Sequence, residues 1–279
     1  MPLGWALRNN ADALLASALL AGALLFCILV PLLWPLDPMR GVLTATFRPP
    51  LSSVGEAFHP LGTDQLGRDL LARLGLGTAI SLGIVLIAAA ISVVLGTFLG
   101  MLAGYYGGWV DILVMRLVDI QLAVPFILLI LLFVAVLGPG IFNLVMILGL
   151  TGWAIFARVA RAKTLEVREL EYIDASRAVG LSDLTIILRH ILPNILGPQT
   201  VLLTLDLPRL IILEASVGFL GLGVQPPTPT LGNLIGEARA YILLADWLVI
   251  WPGVLIGALV IGCNLLGDWL VRRAESRVL

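Results

Sequence analysis

The run Thr78–Ala103 contains 26 residues without one charged side chain. About 20 mainly apolar residues are enough for a helix to cross the hydrocarbon core of a bilayer. Only 13% of the whole chain is charged, against about 25% in an ordinary soluble domain. A soluble fold of this length needs more polar surface, because burial on folding is incomplete. The sequence therefore predicts an integral membrane protein.

Five further apolar stretches bring the expected number of spans to about six, and the predicted fold class is all-α. The first stretch is interpreted as a retained anchor because it is too long for the core of a signal peptide. The fifth is the least apolar, since it contains Asp206, Arg209 and Glu214. The predicted spans are Ala13–Trp34, Thr78–Ala103, Ile112–Leu137, Gly140–Ala157, Gly197–Gly221 and Leu248–Leu266. We divide the chain into an anchor with an extracytoplasmic segment, 1–77, and a transmembrane core, 78–279.

The distribution of Lys and Arg between the connecting loops indicates the orientation, because cytoplasmic loops carry the excess of these residues. With both termini inside, ten of the cations lie on the inner side and five on the outer side. This bias predicts cytoplasmic termini and a cytoplasmic loop between spans four and five. No basic run suggests nucleic acid as a partner.

The two long outer segments, Pro35–Gly77 and Val224–Ala245, are rich in proline. Such density favours extended backbone over helix. Pro125 and Pro252 are expected to break helices within the spans, which is tolerated only where the backbone is shielded from lipid. The two cysteines and two histidines are scattered, so no metal site is expected.

The loop Arg158–Asn194 is the one long polar stretch on the predicted cytoplasmic side. A helix is expected to continue from the fourth span to Glu169 and to be followed by a short helix, Tyr172–Val179, that stops at Gly180. Ser182 is expected to cap the next helix, which carries an apolar stripe until Pro193 interrupts it. A short helix of this kind can enter a groove on a partner. A surface hairpin that merely joins two spans accounts equally well for the same residues.

The residues of this loop resemble the "EAA" loop of ABC importer permeases, whose short coupling helix inserts into a cleft of the ATPase subunit. Asp for Glu and Ser for Ala are conservative departures, and Arg189-His190 before Leu-Pro-Asn fits the peptide-permease branch. The resemblance implies that coupling to the ATPase involves Tyr172, Asp174, Ala175, Ser176, Gly180, Leu181, Leu192 and Pro193.

Three further blocks resemble the second, C-type permease subunit of dipeptide, oligopeptide and nickel importers. They begin at Leu61 (LGTDQLGRD), at Ala103 (AGYYGGWVD) and at Glu214 (EAS, then FLGLGVQPPTP). This resemblance implies a prokaryotic inner-membrane permease without catalytic residues or a cofactor of its own. Its expected partners are a homologous permease, cytoplasmic ATPase subunits that bind ATP and Mg²⁺, an extracytoplasmic solute-binding protein and the lipid bilayer. Peptides are the favoured cargo over nickel and other small solutes. No GxxxxGK[ST] motif occurs, so ATP hydrolysis is expected on a separate chain.

Ionisable residues inside spans are costly and are candidates for function. Asp206 and Arg209 are three residues apart and either form a structural pair, line the solute path or lie at the boundary of a span. Glu214 is a candidate for an outer gate. Arg116 and Asp119 are expected to be a local pair, and Asn264 is expected to form an interhelical hydrogen bond and is also a candidate for the pathway. The alternative function is an ion-coupled secondary transporter that uses Asp206, Arg209 and Glu214. An intramembrane enzyme is disfavoured, because GxSxG and HExxH are absent.

Overall fold

A computed structural model describes residues 3–275 of the chain, with side chains from 11 to 273. Arg8 and Arg277, which contribute to the predicted charge bias, lie outside the described side chains. By its contacts the chain divides into two compact units. The first holds residues up to 86, 137–144 and from 207 onward, and the second holds 87–136 and 145–206.

The described residues are mainly helical, as the sequence predicts, with one small antiparallel hairpin. The hairpin pairs β1 (Ser52–Val54) with β2 (Ala57–His59). The α-helices are α1 (Leu3–Leu33), α2 (Leu70–Tyr106), α3 (Gly108–Ala123), α4 (Phe126–Leu137), α5 (Ile141–Arg168), α6 (Glu171–Ala178), α7 (Asp183–Ile186), α8 (Leu192–Phe219), α9 (Leu231–Ala238) and α10 (Trp247–Glu275). Short 3₁₀ turns occupy Leu43–Ala45 and Arg239–Tyr241, and a π turn occupies Ile187–Ile191.

Four described helices, α1, α2, α5 and α10, are long and apolar enough to cross a membrane. The pair α3 and α4 makes a fifth if it counts as one span, although the two helices are bent by 92°. The bend falls at Val124 and Pro125, so the predicted break at Pro125 is confirmed. The predicted break at Pro252 is wrong, because α10 continues through this residue. A continuous α8 of 28 residues covers most of the predicted fifth span, 197–221.

In the second unit, glycines let α2 and α5 pack closely. Gly96, Gly100 and Gly104 recur every four residues on one side of α2, and this side faces the backbone and small side chains of α5. A methyl group added at Gly100 would lie 2.8 Å from Cβ of Ala160. Small residues allow this approach in membrane proteins, where dispersion contacts between helices replace the hydrophobic effect.

In the first unit, α1 packs along α10, and Arg272 near the end of α10 donates to Asp12 at 2.9 Å. The proline-rich segment 224–245 is only partly extended. Its residues 231–238 form α9, so the prediction of extended backbone over helix is wrong for this part of the segment. Thr230 starts α9 with a capping box, in which its side chain accepts from the N–H of Asn233 while the Asn233 side chain accepts from the N–H of Thr230. Such reciprocal bonds satisfy backbone donors that have no partner inside the helix, and they determine where the helix begins.

Candidate functional site

The segment 158–194 lies in the second unit and has the predicted order of helix, tight glycine turn and helix. Helix α5 continues to Arg168, and the short α6 covers Glu171–Ala178. Gly180 ends α6 with φ of +86°, which a glycine adopts at low cost. The N–H groups of Gly180 and Leu181 donate to the carbonyls of Arg177 and Ser176, the two bonds of a Schellman motif.

The helix after this turn also begins as predicted, because Ser182 accepts a hydrogen bond from the N–H of Thr185 and caps α7. The predicted interruption at Pro193 is wrong. The chain instead widens into the π turn Ile187–Ile191, in which Leu192 N–H donates to Ile187 O, and then continues as α8. Pro193 is the second residue of α8, and the first N–H groups of an α-helix have no acceptor within that helix, so a proline is tolerated there. The π turn lies directly before α8, and the chain stays helical from Asp183 to Phe219.

One side of this segment is buried against α2 and α5. Ile173 of α6 has no solvent exposure, and it packs in a cluster with Met101 and Tyr105 of α2. Leu192, one of the predicted coupling residues, packs against the same cluster, whose other members are Ala160, Val167, Ile186, Ile187, Ile191 and Ile195. This apolar contact holds α6 against the ends of two long helices.

The opposite side of the segment is exposed. Asp174 and Ala175 face outward on α6, and the Val179 side chain, at the end of α6, is 84% exposed. Tyr172 and Leu181 are also exposed apolar residues of this surface. Asp174 forms an ion pair with Arg177 at 3.1 Å, and the Tyr172 hydroxyl accepts a hydrogen bond from the side chain of Asn194 at 3.3 Å. Most of the predicted coupling residues therefore form one accessible surface.

Three charged side chains of the segment converge on Tyr105, the penultimate residue of α2. Arg168 donates to the carbonyl of Gly104 at 2.8 Å, Arg177 lies 5.5 Å from the centroid of the Tyr105 ring, and the Tyr105 hydroxyl donates to Asp183 at 2.6 Å. An arginine side chain is always protonated in proteins, so Arg177 places a cation beside the aromatic ring.

Two ion pairs join α5 to α3 in the same unit. Arg161 forms a two-bond ion pair with Asp111, and Arg158 donates to Asp119 at 2.8 Å. The expected pairing of Asp119 with Arg116 is wrong, since its partner comes from α5. Spacing of three residues on one helix permits a pair but does not exclude a better-placed cation on the neighbouring helix.

Comparison with known proteins decides the family. Residues 96–279 match the family described as binding-protein-dependent transport system inner membrane component. The chain belongs to this family. The match includes the whole segment 158–194, so the membrane assignment and the predicted ABC permease are both confirmed.

Curated relatives extend the likeness over most of the chain. The dipeptide transport system permease protein DppC of Haemophilus influenzae is 37% identical over 94% of this chain and 90% of its own length. The di/tripeptide permease DppC of Pseudomonas aeruginosa is 40% identical over 89% of this chain and 85% of its own. The glutathione transport system permease protein GsiD of Escherichia coli is 44% identical over 79% of this chain and 73% of its own length.

Among solved structures, an inward-facing structure of the MetNI methionine ABC transporter superposes with a TM-score of 0.56. It covers 72% of this permease and 95% of the transporter chain at 23% identity. At this identity the likeness concerns the fold alone.

In the first unit of this permease, the residues of the LGTDQLGRD block form a buried ionic cluster. Arg68 donates to Asp64 at 2.6 Å, and both Arg68 and Arg73 donate to the same oxygen of Glu237, at 2.9 and 3.1 Å. Asp69 accepts from the indole of Trp34 at 3.0 Å and lies 2.8 Å from Nδ1 of His59. These bonds therefore attach the polar segment that precedes α2 to helix α9.

The candidate pathway residues are not gathered at one described site. Asp206 and Arg209 both lie on α8, and neither side chain is without a partner. Glu214 is only 1% exposed and is hydrogen-bonded to Ser81 and Thr230. Asn264 is exposed on α10, so its role in an interhelical bond stays a prediction.

Sequence reasoning missed Tyr105, Arg177, Asp183 and Glu237 as members of these clusters. Tyr105 and Arg177 lie inside blocks that carry the resemblance, but nothing in the chain order shows that they meet. Glu237 lies in the segment that its prolines led us to expect as extended. The separations of 78 residues for Tyr105–Asp183 and 164 for Arg73–Glu237 explain why only the tertiary fold finds these pairs.

Proposed function

We propose that this chain forms half of the translocation pathway of an ATP-driven peptide importer and that its segment 158–194 docks a separate cytoplasmic ATPase. The observation that carries this proposal is the two-sided α6, which is anchored by a fully buried Ile173 and exposes Asp174, Ala175 and Val179. A short amphipathic helix with small and apolar residues on its free side suits a groove on another protein.

The remaining partners and the orientation follow from the same proposal. A homologous permease completes the pathway, and an extracytoplasmic solute-binding protein delivers the cargo. ATP and Mg²⁺ are bound by the ATPase subunits, and both termini of this chain are cytoplasmic. Support for the orientation comes from Arg158, Arg161, Lys163 and Arg168, which accumulate toward the end of α5 as expected on the cytoplasmic side.

The docking surface is tested by reversing the charge of each of two matched carboxylates, one on the proposed surface and one outside it. Asp174 and Glu166 are similarly exposed, at 70% and 65% of their side chains, and each pairs with a cation three residues away. Asp174 lies on α6, whereas Glu166 lies on α5, outside the α6 surface that is tested. The chain is purified together with the ATPase subunits of its importer. We expect Asp174→Lys to reduce retention of the ATPase and Glu166→Lys to leave it unchanged. Equal retention by both variants would refute docking through α6.

The peptide cargo is supported by the relatives, whose names specify dipeptide, di/tripeptide and glutathione transport. The test is uptake by proteoliposomes that contain the complete importer and its binding protein. Labelled dipeptides, tripeptides and Ni²⁺ are offered separately, with and without ATP. We expect ATP-dependent uptake of a peptide. Uptake of Ni²⁺ alone would refute the cargo, and uptake driven by an ion gradient without ATP would support the secondary-transporter alternative.

A further inference from the structure

Tyr105 of α2 contacts several parts of segment 158–194, which is called the coupling segment below. Its side chain is mostly buried, and it lies in the same apolar cluster as Ile173 of α6 and Ile186 of α7. The ring also packs edge-on against Tyr106, with centroids 5.2 Å apart. Tyr105 therefore contacts the segment through apolar packing in addition to its polar contacts.

The polar contacts come from three successive parts of the segment. Arg168 lies before α6 and binds the last carbonyls of α2, those of Gly104 and Tyr105. A cation at this end of a helix is favoured, because it compensates carbonyls without partners. Arg177 lies within α6 and faces the aromatic ring, and Asp183 lies after the glycine turn and accepts from the hydroxyl.

These contacts differ in their response to a displacement of α6. Apolar packing tolerates sliding, since it has no preferred direction. The bond from Tyr105 to Asp183 is directional and charge-assisted, and such bonds are shorter and stronger than neutral ones. A movement of α6 and its glycine turn therefore either pulls the end of α2 with it or breaks this bond.

We infer that Tyr105 is the positioning residue that transmits movement of the coupling segment to α2, acting through its hydroxyl bond to Asp183 and its ring contact with Arg177. This inference rests on the proposed function, since the movement is imposed by the docked ATPase. Tyr105 itself does not contact ATP or cargo in this scheme.

The experiment uses the complete importer in liposomes, and it measures ATP hydrolysis, peptide uptake and retention of the ATPase on the same preparations. Tyr105→Phe removes the hydroxyl and keeps the ring. We expect the ATPase to remain bound while uptake per ATP falls about tenfold, the equilibrium factor of one hydrogen bond to a charged group. Tyr106→Phe removes a phenolic hydroxyl one residue away and is expected to match the wild type.

A second variant tests the same bond from its other end. Asp183→Ala should lower uptake per ATP as Tyr105→Phe does, and the double variant should lose no more than either single one, because both remove one shared interaction. If Tyr105→Phe fails to assemble, Asp183→Ala alone decides. Wild-type uptake per ATP in these variants, additive losses in the double variant, or loss of bound ATPase would overturn the inference. An importer whose wild type shows no ATP-driven uptake would instead refute the proposed function.

Discussion

Arg73 and Glu237 are joined by a hydrogen bond of 3.1 Å between Nη2 and Oε2, although they lie 164 residues apart in the chain. Arg73 is fully buried, and 18% of the Glu237 side chain is exposed. The pair therefore connects the first turn of α2 to α9. Since Arg68 binds the same carboxylate oxygen, Glu237 neutralises part of the charge of two buried guanidinium groups.

The first prediction concerns this buried pair. Arg73→Met leaves Glu237 with fewer counter-charges in a buried cluster, and removing one partner of a buried pair costs about 3–5 kcal/mol. We expect a loss of this size in the free energy of unfolding, measured by denaturant titration in detergent micelles. The control is Arg40→Met, which breaks an exposed pair with Asp37 and should cost less than about 1 kcal/mol. Equal losses would contradict the buried-cluster interpretation.

The second prediction compares two glycines of α2. Replacement of glycine by alanine within a helix ordinarily stabilises by about 0.5–1 kcal/mol, and we expect this gain for Gly83→Ala, since no heavy atom lies within 4 Å of the added methyl. Gly100→Ala should destabilise instead, because its methyl would press against Ala157 and Ala160. Thermal unfolding in detergent measures whether each variant is more or less stable than the wild type. A stabilising Gly100→Ala would mean that α2 and α5 are not in close contact.

The third prediction concerns the backbone of the glycine turn at Gly180. An added Cβ at Gly180 meets nothing within 4 Å, so the cost of a side chain there comes from its φ of +86°. Asparagine tolerates this region, whereas a β-branched residue does not. We expect Gly180→Val to weaken ATPase retention severalfold and Gly180→Asn to retain most of it. Equal retention by the two variants would show that the turn is not needed for docking.

The fourth prediction separates hydrogen bonding from charge at Glu214. Glu214→Gln keeps the shape and an acceptor for Ser81 and Thr230, so its free energy of unfolding should stay within about 1 kcal/mol of the wild type. Glu214→Ala leaves those hydroxyls without their partner in a buried position and should cost about 2–3 kcal/mol. Denaturant titration distinguishes the two, with Ser216→Ala on the same helix as a near-neutral control. A Gln variant as unstable as the Ala variant would indicate that the ionised carboxylate is required.

The local features of the coupling segment could be predicted from the sequence, because each depends on neighbouring residues. Gly180 and Ser182 determine the end of one helix and the start of the next through hydrogen bonds that span three to five residues. The effect of Pro193 could not be predicted in the same way. Whether a proline ends a helix depends on the hydrogen-bond register before it, and here a π turn changes that register.

The membrane class, the position of the polar segment 158–194 and the short helix within it could all be predicted from the sequence. Uncharged runs and residues that end helices act over short distances, so the structures that they favour do not depend on the rest of the fold. Three contacts could not be predicted without the fold: Asp119 with Arg158, Glu237 with Arg68 and Arg73, and Tyr105 with Asp183. Each of these pairs joins residues from different elements of the chain. The partners of Asp119, Glu237 and Tyr105 are therefore set by the packing of elements, whereas Asp174 pairs with Arg177 three residues away.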